Sequence, residues 1–129
     1  MLELKRIHHA AIICSDYEVS KRFYTQVLGL EIIAENYRKE RESYKLDLQL
    51  PNGGQIELFS LPGSPARLSY PEALGLRHLA FVVDDVSQSK ALLESSEVRV
   101  EEIRIDEYTG KRFVFFADPD GLPLELYES

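Results

Sequence analysis

The 129-residue sequence has one cysteine, one methionine and no tryptophan. A single cysteine excludes an internal disulfide, which fits a reducing compartment. Cys14, beside Ile12 and Ile13, reads as a small buried residue rather than a reactive thiol. Long apolar runs are also missing. No stretch approaches the roughly 20 consecutive apolar residues of a membrane span, and the opening Met1-Leu2-Glu3-Leu4-Lys5-Arg6 is charged and has no signal-peptide core. The expectation is a cytoplasmic protein without membrane association. Positive charge is scarce: 15 Lys and Arg face 22 Asp and Glu, a net −7. The short basic groups Arg38-Lys39 and Lys111-Arg112 have acidic neighbours, so nucleic acid is not expected as a partner.

What is present is an internal repeat. Ile7-His8-His9-Ala10-Ala11-Ile12-Ile13-Cys14-Ser15-Asp16 is matched by Leu76-Arg77-His78-Leu79-Ala80-Phe81-Val82-Val83-Asp84-Asp85. Each is a strand-like apolar run in which a histidine is followed, seven residues later, by an aspartate that opens a helix. The halves also end alike, in Gln55-Ile56-Glu57-Leu58-Phe59 and Pro123-Leu124-Glu125-Leu126-Tyr127. The histidine-to-glutamate intervals, His9 to Glu57 and His78 to Glu125, are nearly equal. Chance is a poor explanation for a histidine, a helix cap and a strand carboxylate recurring in one order.

Local signals give each half the same elements. After a strand over 7–13, Ser15 and Glu18 stand at capping-box spacing, with Ser15 or Asp16 as N-cap. Val19, Phe23 and Val27 form a helical stripe, and Gly29 takes the left-handed position that ends the helix. Strands follow over about 31–37, 44–50 and 55–61, the last two joined by the hairpin signal Pro51-Asn52-Gly53-Gly54. In the second half Asp85 and Gln88 repeat the cap, and Val86, Leu92 and Leu93 supply an apolar face. Strands over about 98–105, 112–117 and 123–128 complete it, with Asp118-Pro119-Asp120-Gly121 as the last turn. The fold class is therefore α+β: two tandem βαβββ modules in one 129-residue domain. Module one covers about 5–61, a proline- and glycine-containing connector about 62–74, and module two about 75–129.

Alternation along the strands puts Glu57 and Glu125 opposite their apolar neighbours. A carboxylate set in such a strand is costly to bury unless it is paired, hydrogen-bonded or metal-bound. A lone strand histidine or glutamate is ordinarily a structural or solvated group. Two of each in equivalent positions indicate one shared purpose: His9, Glu57, His78 and Glu125 together make an N/O donor set for a divalent transition metal. His8 is the rival of His9, but the interval to Asp16 selects His9. For an anionic or polar substrate, Arg112 is the first candidate, followed by Lys111, Arg77, Arg38 and Tyr44. The alternative for each is a solvated surface group.

These residues resemble the vicinal oxygen chelate superfamily, which includes glyoxalase I, fosfomycin-resistance enzymes, extradiol dioxygenases and bleomycin-resistance proteins. The resemblance spans nearly the whole chain. It is carried by His9 through Asp16, Phe23-Tyr24, Val27-Leu28-Gly29-Leu30, Ile56-Glu57-Leu58, Gly75-Leu76-Arg77-His78, Val82-Val83-Asp84, Asp118-Pro119-Asp120-Gly121 and Leu124-Glu125-Leu126. More narrowly, the stretch from Lys111 to Glu128 is similar to bacterial proteins labelled by their likeness to lactoylglutathione lyase.

The resemblance implies a curved mixed sheet whose strands surround one divalent metal held by His9, Glu57, His78 and Glu125. Zinc or nickel is expected first, with iron, manganese or cobalt open. Glyoxalase I has such a two-histidine, two-glutamate set, whereas extradiol dioxygenases and fosfomycin-resistance enzymes use a set corresponding to His9, His78 and Glu125. Glu57 thus tilts the expectation toward a lyase or isomerase acting on a small metabolite through an enediolate-like intermediate. Glu125 is the first choice for the proton-transferring carboxylate and Glu57 the second. The alternatives are a dioxygenase, a thiol transferase, or a non-catalytic metal- or ligand-binding protein. Many relatives are dimers that combine ligands from two chains, so a homodimer is expected.

Overall fold

In a computed structural model that describes residues 1–129, the chain divides into two compact units, Met1–Pro65 and Ala66–Ser129. The first contains β1 (His9–Cys14), α1 (Tyr17–Arg22), β2 (Glu31–Arg38), β3 (Ser43–Gln49) and β4 (Gln55–Ser60). The second contains β5 (Leu79–Val83), α2 (Val86–Ser95), β6 (Arg104–Ile105), β7 (Arg112–Ala117) and β8 (Pro123–Glu128). Each unit closes its own four-stranded mixed sheet, ordered β1-β4-β3-β2 and β5-β8-β7-β6. The class is α+β with two tandem βαβββ modules; the strands are shared between two sheets rather than joined in one.

Within each module the first strand runs parallel to the last, and the other pairs are antiparallel. A parallel pair needs a crossover, and here β1 and β5 each lead directly into a helix. The aspartates before these helices cap them. Asp16 accepts a hydrogen bond from the Val19 N–H at 3.2 Å, and Asp85 from the Gln88 N–H at 3.0 Å. Those bonds satisfy backbone donors that the first turn leaves without partners.

Strand alternation then separates two faces. On one, Ile12, Cys14, Leu46, Leu48, Ile56 and Leu58 are buried; on its counterpart in the second module, Val114, Phe116, Leu124 and Leu126 are. α1 packs against β4, and α2 against β7 and β8. Burial of one such leucine contributes about 1.5–3 kcal/mol, so these apolar faces fix the register and leave the odd-numbered residues of β4 and β8 on the other face.

Three local expectations are corrected. The Val19–Phe23–Val27 stripe is not the buried one: Val19 is exposed, whereas Tyr17, Ser20, Phe23 and Tyr24 are buried. After Arg22 the helix widens into a π-turn over Phe23–Val27, with the Leu28 N–H donating to the Phe23 carbonyl at 3.0 Å. This breaks the 3.6-residue period between Phe23 and Val27; Val19, ahead of the turn, lies off the buried face formed by Tyr17, Ser20 and Tyr24. In α2, Val86 and Leu93 are buried but Leu92 is 63% exposed; seven residues bring Leu93 under Val86, and six do not. The strand expected over 98–105 is reduced to Arg104–Ile105 and a single bridge, Val100 to Phe116. Between that bridge and the Arg104–Phe113 pair the register slips by one residue, as in a β-bulge. β2 has the corresponding slip between Ile32 and Ala34.

No helix is long and apolar enough to cross a membrane.

Candidate metal centre

His9 begins β1, and His78 immediately precedes β5. The registers place Ala11 opposite Glu57 and Ala80 opposite Glu125. Both facing residues are therefore alanine and both are exposed, so no bulky side chain covers either carboxylate from the neighbouring strand. Each glutamate instead meets the histidine two residues before that alanine. His9 Nε2 lies 3.5 Å from Glu57 Oε1, and His78 Nε2 lies 3.6 Å from Glu125 Oε1. The glutamate side chains are only 16% and 12% exposed.

These separations are long for hydrogen bonds. They suit two ligands of one ion: bonds of about 2.0–2.2 Å at a tetrahedral angle put N and O about 3.4 Å apart. Imidazole and carboxylate donors also match the ligand preferences of zinc, nickel, iron, manganese and cobalt. The donor set in each module therefore fits a divalent metal. His9 with Glu57 and His78 with Glu125 form two pairs, and no group of three or more His, Cys, Asp or Glu side chains is gathered at one point.

His8 has a part that alternation alone did not provide. Its Nδ1 lies 2.9 Å from His9 Nδ1, with the two rings edge to face. One of the two nitrogens donates to the other, so the far side of the His9 ring is held while Nε2 faces Glu57. Such support orients a metal-binding imidazole and selects its tautomer.

Around Glu57 the first module is polar. Asp47 is directly opposite Glu57, a like-charge pairing that destabilises a sheet by itself. Lys45 resolves it, with its Nζ 2.6 Å from Asp47 Oδ1 and 3.7 Å from Glu57 Oε2. The Asp47 hydrogen bond is the main cause that holds the Lys45 ammonium above the ordinary lysine range, and Glu57 adds to it. Lys45 was not among the sequence-derived candidates. Its signal was the alternation Lys45-Leu46-Asp47-Leu48-Gln49 beside a short hairpin, which puts polar residues on the Glu57 face.

Around Glu125 the second module is aromatic. Phe115 is directly opposite Glu125 and Phe113 opposite Tyr127. The Phe115 ring meets His78 edge to face at 5.0 Å, and Phe113 stacks on Tyr127 at 6.4 Å.

The substrate candidates occupy different settings. Arg38 shares the Glu57 face: its guanidinium lies 4.9 Å from the Phe59 ring, Nη2 donates to Ser43 Oγ at 2.9 Å, and the buried Nε has no partner. Tyr44 belongs to the opposite, helix-covered face, stacked on Tyr17 at 4.2 Å. Arg112 is occupied by a lock at the start of α2. Its Nη2 lies 2.6 Å from Glu128 Oε2, Nε donates to Glu128 Oε1 at 3.1 Å, and Nη1 donates to Ser87 Oγ at 2.9 Å. Glu128 also accepts the Val86 N–H at 3.0 Å. Arg77 is paired with Glu72 at 2.5 Å on an exposed surface. Lys111 lies in the turn before β7, where its backbone N–H donates to Thr109 Oγ1 and its carbonyl accepts the Asp106 N–H.

The model of the glyoxalase/bleomycin resistance protein/dioxygenase superfamily matches residues 6–126. The uncharacterised protein YaeR of Escherichia coli K12 is 59% identical over 128 residues, covering 99% of each chain. The crystal structure of a glyoxalase family protein from Enterococcus faecalis superposes with a TM-score of 0.90 at 50% identity, covering 96% of this chain and 98% of that one. More distantly, a Vibrio parahaemolyticus protein named as a probable lactoylglutathione lyase is 25% identical, covering 96% of this chain and 91% of its own. Members of the superfamily are generally enzymes, and the distant relatives include a metallothiol transferase of Staphylococcus epidermidis, 29% identical over 96% of this chain and 84% of its own. The chain belongs to the glyoxalase/bleomycin resistance protein/dioxygenase superfamily.

Proposed function

We propose that this protein is a cytoplasmic, divalent-metal-dependent lyase or isomerase of the glyoxalase I type, working on a small metabolite as a homodimer. The observation that carries this reading is the equivalence of the His9–Glu57 and His78–Glu125 pairs, each at the spacing of two ligands on one ion. A pair supplies half of a four-ligand set. In a dimer, the ligands contributed by two copies complete each site. The bound metal, zinc or nickel first, would act as a Lewis acid on two adjacent substrate oxygens.

The chain's own residues divide the remaining work. Glu57, ion-paired with Lys45 at 3.7 Å, is assigned a ligand role alone. Glu125 faces Phe115 and His78 and has no lysine or arginine ion pair. Its aromatic surroundings limit water, and this suits it to take a proton from the carbon beside a carbonyl and return it to the neighbouring carbon. His8 orients His9. Arg38 is the substrate-binding candidate that shares the Glu57 face; Arg112, Lys111, Arg77 and Tyr44 stand behind it.

The test uses protein loaded separately with zinc and with nickel, incubated in deuterated water with the hemithioacetal formed from methylglyoxal and glutathione. Isomerisation with solvent deuterium at the migrating position, lost in Glu125→Gln, is the expected result. A metal-loaded protein that neither isomerises this probe nor exchanges its proton contradicts the glyoxalase I-type reading. Oxygen consumption with iron would instead identify a dioxygenase, and consumption of free thiol with an epoxide acceptor a transferase.

A further inference from the structure

The repeat leaves one difference between the modules unexplained. The positions filled by Lys45 and Asp47 in β3 are filled by Phe113 and Phe115 in β7. Over these two rings lies Arg104, its guanidinium carbon 5.2 Å from the Phe113 centroid and 5.3 Å from that of Phe115. Arg104 is there because of the bulge in its strand. If the register of the Val100–Phe116 bridge continued, Arg104 would stand beside Arg112 on the other face. The one-residue slip pairs it with Phe113 instead, and bulges are a recurrent means of re-aiming a side chain beside a site.

The arginine is held but not satisfied. A cation–π contact fixes the plane of the guanidinium and leaves its N–H edge free. No carboxylate pairs with Arg104, although the chain has 22 acidic residues against 15 basic ones. The acid two positions along, Asp106, is taken by the Tyr127 hydroxyl at 2.9 Å and the Tyr108 N–H at 2.9 Å. Arg112 on the neighbouring strand is by contrast fully engaged by Glu128 and Ser87. An exposed guanidinium on an aromatic floor, one ring of which touches His78, is organised to receive an oxyanion on a molecule with a flat apolar body.

We infer that Arg104, Phe113 and Phe115 form a subsite for a carboxylate or phosphate group carried by the substrate. This deepens the reading above and rests on His78 and Glu125 being part of the reaction site. The aromatic rings take the apolar body and Arg104 takes the charge, so the subsite selects for an organic anion over its neutral counterpart.

The test is an NMR titration of the full chain, as purified and after dialysis against chelator, with benzoate, phenyl phosphate and neutral benzyl alcohol. Benzoate and phenyl phosphate can also ligate a metal through their own oxygens, so binding in the chelator-dialysed protein is what stands apart from whether the four-ligand site or the glyoxalase I-type reaction holds. At least one anion should shift the Arg104 Nε–H signal and the Phe113 and Phe115 ring signals in both preparations. Benzyl alcohol should bind at least tenfold more weakly. Arg104→Gln should lower anion affinity at least tenfold with an unchanged Tm, and Arg104→Lys, which lacks the planar fork, should restore only part of it. The tighter anion identifies the group. Equal binding of benzyl alcohol, unchanged affinity in Arg104→Gln, or shifts confined to other residues would overturn the inference.

Discussion

At the scale of single residues, the two glutamates have the same backbone setting and different company. Glu57 faces an aspartate and is bridged to it by Lys45, whereas Glu125 faces a phenylalanine. A metal at Glu57 must therefore compete with an ammonium group. Lys45→Met should tighten zinc binding several-fold while lowering the stability of the metal-free protein by about 1 kcal/mol, because Asp47 and Glu57 then face each other uncompensated. Calorimetric zinc titration and denaturant unfolding of the same variant check both signs. His8 gives a second prediction: His8→Ala should weaken zinc binding about 10- to 100-fold, the usual cost of losing a residue that orients a metal-bound imidazole. Its exposure means that the fold should be unaffected, so an unchanged zinc affinity would remove His8 from the site.

At the scale of elements, caps and strand carboxylates were legible because they are local. Asp85 needed only its distance to the next residues, and Glu57 and Glu125 only the alternation around them. For the first helix the same spacing left Ser15 and Asp16 both open until the structure showed Asp16 as the cap. Three features were not legible. The π-turn after Arg22 changes the helical period without any distinctive residue, the bulges shift register through pairing with a distant strand, and the Lys45 bridge depends on which residue lies opposite Glu57. Each is set across strands or turns rather than along the chain. Arg112 was expected to meet substrate for its charge alone; the structure shows that charge engaged by Glu128 at the start of α2.

That lock has a pH signature. The Arg112 hydrogen bond, with help from the Val86 N–H, holds the Glu128 carboxyl below the ordinary glutamate range. A carboxyl with a lower pKa in the folded state stabilises the fold fully above its unfolded value, about 4.3, and loses that contribution as pH falls through the folded value. Stability measured by denaturant midpoint should therefore decline below about pH 4.3. In Glu128→Gln the decline should be shallower, and the midpoint at neutral pH lower. A variant with the parent's pH dependence would show that the lock is not coupled to folding.

At the scale of the whole molecule, the repeat conveys most of the architecture. Histidine, cap and carboxylate recur in order, and the structure turns them into two mixed sheets, each with one buried face and one face bearing a His–Glu pair. The difference between the modules, polar around Glu57 and aromatic around Glu125, is equally present in the sequence. It acquires meaning only when register places Asp47 and Phe115 opposite the glutamates. The central claim is that both pairs serve one kind of metal site. The most direct test is the metal content per chain, at known oligomeric state, of protein purified without chelators or an affinity tag, for the parent, Glu57→Ala and Glu125→Ala. A dimer with about one transition metal per chain is expected, with binding weakened at least tenfold by either substitution, as for loss of a metal ligand. A folded parent that stays empty after exposure to zinc, nickel, iron and manganese, or that holds its metal unchanged in both variants, would contradict it.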